Sequence, residues 1–175
     1  MIEHLWEKPT HTDAVLYYFC DFSAQEQQHP LDIFQCLLRQ LIDQGNREVI
    51  TTLHELCKDP SRLRNLETLA QILTKACTLV ETYLILDAPD ELKEPNSLLC
   101  HLPSFVEAGC RVLVTSRDLP NIRSKLRTAD KMEIRSNFED LKLYIESRFR
   151  ESDFSNEVDK TSGILNEIVL KSGDM

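Results

Sequence analysis

The chain has 175 residues, of which 42% are hydrophobic and 28% charged, the size and balance of one soluble globular domain and too apolar for disorder. A net charge of −9 excludes broad binding to nucleic acid or to an anionic membrane, because the average surface repels phosphate. The six cysteines include no CxxC pair and no histidine at ligand spacing, so they read as free thiols in a reducing compartment rather than as a zinc site or a disulfide framework.

The opening "MIEHLWEK" carries acid where a secretory signal needs base, and no apolar run reaches membrane-spanning length, so a cytoplasmic location is expected. "AVLYYFC" (14–20) predicts a strand buried on both faces, with Tyr17, Tyr18 and Phe19 in the core. "PLDIFQCLLRQLI" predicts a helix. Pro30 sits in its first turn, apolar residues recur at 34, 37, 38 and 41, and Gly45 closes it. "KDPSRLR" (58–64) reads as a solvated basic loop. "LETLAQILTKACTLV" then puts Leu66, Leu69, Ala70, Leu73, Ala76, Cys77 and Val80 on one helical stripe. Further buried strands are predicted at "TYLILD" (82–87), "CRVLVTS" (110–116) and, more weakly, "KMEI" (131–134). Strands alternating with helices imply an α/β fold with a parallel sheet. Beyond 134 only helices are predicted: Ser136 and Glu139 form a capping box before "FEDLKLYIESRF", whose stripe is Phe138, Leu141, Ile145 and Phe149, and a last helix covers about 156–170. The division expected is a core at 1–134 and the start of a helical subdomain at 135–175.

The chemistry concentrates in "LILDAPDEL", an apolar strand that ends on Asp87, Asp90 and Glu91. Open parallel sheets bind ligands beyond the carboxyl ends of their strands. A carboxylate there can hold Mg²⁺ through water, and a second acid can polarise a water toward a phosphoryl group. Ala88 is small enough for a tight turn. The next strand carries Thr115, Ser116 and Arg117 to the same end, where a hydroxyl can position water and a guanidinium can neutralise a terminal phosphate. A salt bridge from Arg117 to the acids of 87–91 is the plain alternative, as is a merely solvated acidic loop. "PDELK" also echoes metal nucleases, but its elements are contiguous here, so Lys93 would point away from a shared ion. His4, His11, His29, His54 and His101 show no catalytic pairing, His54 and His101 reading as helix residues, and Ser116 lacks partners for a triad.

"DAVLYYFCDF", "PLDIFQCLLRQLI", "YLILDAPDEL", "CRVLVTSRDLPNI", "LKLYIESRF" and "IVLKSGDM" follow one another much as in the NACHT NTPases of filamentous-fungal NOD-like receptors. That group is also labelled nephrocystin-type N-terminal domains, within the STAND class of AAA+-related P-loop ATPases. The resemblance covers nearly the whole chain. It implies a three-layer P-loop NTPase sheet of order five, one, four, three, two, followed by a helical lid. It further implies that "LILDAPDE" is the Walker B strand, with Asp87 serving Mg²⁺ and Asp90 with Glu91 activating water. "TSR" becomes the sensor, with Thr115 and Arg117 reading the γ-phosphate. Pro89 departs from the usual apolar residue between the acids.

No G-x-x-x-x-G-K-[ST] loop occurs in the sequence, whose glycines are Gly45, Gly109, Gly163 and Gly173. Against the resemblance, the Walker A segment and first strand are missing. The strands at 14–20, 82–87, 110–116 and 131–134 would be second to fifth, with the fourth exposed at an edge and the fifth lacking a neighbour. The expectation is a fragment of a NACHT-type signalling ATPase that binds neither ATP nor Mg²⁺, the cofactors of the intact family, stably alone. The alternative is a non-catalytic interaction module. Expected partners are proteins or further copies meeting through NACHT surfaces, with no nucleic acid and no membrane.

Overall fold

Three strands, β1 (Asp13–Phe19), β2 (Glu81–Asp87) and β3 (Arg111–Thr115), form one parallel sheet in the order β1-β2-β3. The computed structural model describes residues 13–134 and 138–151. The chain divides into two compact units at Thr128/Ala129, and the sheet belongs to the first.

Between β1 and β2 run α1 (Pro30–Asp43), α2 (Arg47–Leu56) and α3 (Leu66–Cys77). Between β2 and β3 lie α4 (Pro95–Leu99) and α5 (Leu102–Glu107), and α6 (Pro120–Lys125) follows β3. The starts and stops have local causes. Pro30 occupies the first turn of α1, where its missing N–H costs no hydrogen bond. Gly45 closes that helix at φ +76°, a left-handed conformation without penalty only for glycine. Asn46 caps α2 by accepting from Glu48 and Val49 N–H, and Asn65 caps α3 by accepting from Thr68 N–H. "KDPSRLR" contains a short 3-10 helix, Pro60–Arg64, on the surface, and His101 stands at the turn before α5 rather than inside a helix.

The core lies on one face of the sheet. Ala14 and Leu16 of β1 and Leu84 and Leu86 of β2 join Ile33, Phe34, Leu37 and Leu41 of α1 and Leu69, Ile72 and Leu73 of α3 in a single buried cluster, on which Val112 and Val114 of β3 pack. Phe34 and Phe105 meet edge to face at its centre, their centroids 5.8 Å apart. Val15 and Ile85, on the opposite face, are buried but stand outside that cluster. Burial on both faces, expected for all the strands, therefore fails toward β3. Leu113 is 37% exposed, and Phe19, expected in the core, is 53% exposed where β1 leaves the sheet.

The two sheet edges differ. Cys20 N–H donates to the Asp87 carbonyl, so the even-numbered β1 residues face β2 and Val15 and Tyr17 direct their backbone groups outward. Two glutamines one turn apart, Gln40 on α1 and Gln44 at its C-cap, close that edge. Val15 N–H donates to Gln44 Oε1 (2.8 Å) while its carbonyl accepts from Gln44 Nε2 (2.9 Å), and Tyr17 makes the same pair with Gln40, both bonds at 2.9 Å. Each side-chain amide thus replaces one residue of a neighbouring strand. On β3, Ala88 N–H donates to the Thr115 carbonyl, which turns Val112 and Val114 outward, and no described residue hydrogen-bonds their backbone groups. Among the described residues, the sheet is closed at β1 and open at β3.

"KMEI" is not a strand: residues 131–134 have no regular structure, with Met132 81% and Ile134 80% exposed. A strand exists only by pairing, and this run has just two apolar side chains to bury between two charges. These residues fall in the second unit with α7 (Phe138–Glu151), on which Leu143 and Tyr144 are exposed. The capping Ser136, the side chains of Phe138, Leu141, Ile145 and Phe149, and the helix expected at 156–170 lie outside the described residues.

Candidate functional site

The register places Phe19, Asp87 and Thr115 side by side at the carboxyl ends of the three strands. Paired residues point to the same face, so the Thr115 hydroxyl reaches Asp87 directly and donates to Oδ1. Just past the strand, Ala88 adopts φ 53°, ψ 45°. This left-handed turn starts a single 3-10 turn, Pro89–Glu91, and returns Asp90 toward β3. Arg117, two residues beyond Thr115, meets it there, with Nε donating to Asp90 Oδ2 at 2.6 Å.

That ion pair is lopsided: the Asp90 side chain is 2% exposed and the Arg117 side chain 67%. Asp90 Oδ1 is buried and has no hydrogen-bond partner among the described residues. Glu91 takes a different direction. Its Oε2 accepts from Phe22 N–H at 2.9 Å, which ties the loop after β2 to the loop after β1. Lys93 reaches across to Glu26 at 2.8 Å, away from the strand ends. Below the acids lies Cys20, whose thiol is pushed up to about 12 by burial first and then by the charges of Asp87, Glu91 and Asp90. Cys20 is a proton-holding group here, not a nucleophile.

Asp87, Asp90, Glu91, Thr115 and Arg117 therefore share one end of the sheet. Among the described residues, no group of three or more His, Cys, Asp or Glu side chains is placed to hold a metal ion by itself. Mg²⁺ at a nucleotide is characteristically held by one or two carboxylates, with waters and phosphate oxygens completing its shell. A single strand-end carboxylate such as Asp87 fits part of that shell and not a self-sufficient site.

The chain matches the family described as Nephrocystin 3, N-terminal, over residues 1–117. It belongs to that family. The nephrocystin 3 N-terminal match takes in all three strands and ends on Arg117, so every one of the five site residues falls inside it. No curated protein and no solved structure matches the chain. Among the described residues no helix is long and apolar enough to cross a membrane.

Reading the sequence alone misses Gln40 and Gln44, Cys20 beneath the acids, and the Phe22 N–H that holds Glu91. The i, i+4 spacing of the glutamines on the helix packed beside β1 was the available signal for the first pair. The other contacts join segments distant in sequence and leave no local pattern.

Proposed function

We propose that this chain is the acidic half of a NACHT-type signalling ATPase switch, of the kind found in fungal NOD-like receptors, with "LILDAPDE" as Walker B and "TSR" as sensor. Its phosphate-gripping half is a strand and glycine-rich loop that add to the open edge of β3. The observation that carries this reading is the alignment of Asp87, Thr115, Asp90 and Arg117 at the carboxyl end of a parallel sheet, directly beside the edge that no described residue pairs with.

Each residue has a task in that site. Asp87 would hold Mg²⁺ through water, with the Thr115 hydroxyl fixing its Oδ1. The bound ion supplies charge neutralisation at the phosphate oxygens. Arg117 uses Nε on Asp90, and its exposed guanidinium can meet a γ-phosphate without leaving the buried carboxylate. Asp90 would act on the attacking water, and Glu91 fixes the loop that carries Asp90. Alone, the chain lacks the backbone N–H cradle and lysine that supply most phosphate affinity. A second reading, a non-catalytic module that meets protein partners or further copies, is favoured by one fact: the Asp90–Arg117 pair neutralises itself without any nucleotide.

Titration of Mg·ATP into the chain alone, and into the chain extended by a strand with a G-x-x-x-x-G-K-[ST] loop, separates the two. The switch reading expects millimolar or weaker affinity alone, a gain of at least about 100-fold on extension, and loss of the Mg²⁺ dependence in Asp87→Asn. No gain on extension supports the module.

A further inference from the structure

Two buried thiols unused by the nucleotide reading line one void in the core. Cys77 is the last residue of α3, and Cys110 immediately precedes β3. The pairing of Tyr83 with Arg111 carries Cys110 one step further back, opposite Thr82, on the face that α3 covers. Cys77 and Cys110 are 7% and 4% exposed and free, and both line the same apolar void of about 10 Å³ with Leu16, Leu37, Leu73 and Phe105. Interiors are packed so closely that two sulfurs rarely have room to move together. The void leaves both side chains slack on the side they share, and an S–S bond of ~2.05 Å needs them to move together into it.

We propose that Cys77 and Cys110 form a reversible disulfide when the protein meets hydrogen peroxide, clasping the end of α3 to the entry of β3. The Cys77 thiolate sulfur attacks one peroxide oxygen and the O–O bond breaks. This leaves a sulfenic acid on Cys77 and, after protonation, one water. The Cys110 sulfur then attacks the sulfenic sulfur, the S–O bond breaks, and a second water leaves with the Cys110 proton. Two thiols are oxidised and one peroxide is reduced. Cys77 is the first nucleophile because hydrogen bonding from the Cys110 thiol pulls it below its usual value against the opposing effect of burial. The same contact, with burial, pushes Cys110 up. The bond would close a loop containing all of β2 and the turn at Ala88, so it holds Asp87 in register with Thr115. The clasp stands independently of any nucleotide.

The test uses the full chain, folded as judged by circular dichroism and treated with hydrogen peroxide. Remaining thiols are alkylated in denaturant, and the protein is digested without reductant for mass spectrometry. The expected product is a peptide pair joined through Cys77 and Cys110, two hydrogens lighter than its parts and separated by dithiothreitol. The melting temperature of the oxidised chain should rise by roughly 5–10 °C and fall back on reduction. Cys110→Ala, a buried small-for-small change, should abolish the linked pair while keeping the circular dichroism spectrum. Full alkylation of both residues after peroxide has oxidised the exposed Cys100 overturns the proposal. So does a peroxide-treated chain whose links run mainly through Cys36, Cys57 or Cys100.

Discussion

Ala88 is a non-glycine residue held at φ 53°, and the whole site hangs on its turn. The left-handed region costs an alanine about 1 kcal/mol, so Ala88→Gly should raise stability by about 0.5–1 kcal/mol in chemical denaturation, while Ala88→Val, whose branched side chain crowds that conformation, should lower it by more than the glycine gains. The Ala88 N–H bond to Thr115 survives both changes. Cys20 gives a pH signature. Its folded value lies above the usual thiol value of 9.0, so the native thiol keeps its proton while the unfolded chain ionises. Stability from this group is complete below about pH 9 and falls as pH rises toward 12, and Cys20→Ala should flatten the alkaline limb of a melting-temperature profile. At this scale the sequence made the meeting of Asp87 and Thr115 legible, because adjacent parallel strands of similar length bring their last residues together. The Arg117 bridge to the acidic loop was legible as the plain alternative. The separation of Asp90 from Glu91 was not: it depends on a 3-10 turn and on a backbone N–H contributed from Phe22.

Among the elements, α1 does two tasks. Its apolar side fills the core, and its glutamines finish the sheet. Gln40→Ala and Gln44→Ala each remove two hydrogen bonds from a strand edge and should each cost about 1–2 kcal/mol. The double substitution should also raise concentration-dependent light scattering, since it turns a capped edge into a pairing surface. Elements with a strong period or an unbroken apolar run were readable: β1, β2, β3, α1 and α3 lie within two or three residues of their predicted limits. Helix α2 buries only Val49 and Leu53, and α4, α5 and α6 are one or two turns long, too short to display a period. "KMEI" failed for the opposite reason. Its composition suits a strand, but strand formation depends on a neighbour that no local pattern reports.

For the whole molecule, the two edges of one sheet carry the functional argument. Among the described residues the parallel sheet is closed by side chains at β1 and open at β3, and the open side adjoins Thr115 and Arg117. Hydrogen exchange at the backbone amides reads this directly. In the chain alone, Val15 and Tyr17 should be protected and Val112 and Val114 should exchange rapidly. In the chain extended by a strand and phosphate-binding loop, with Mg·ATP present, protection should spread to Val112 and Val114. If those two amides exchange equally fast in both proteins while the extended one binds nucleotide, β3 does not receive the phosphate-binding strand and the account is wrong.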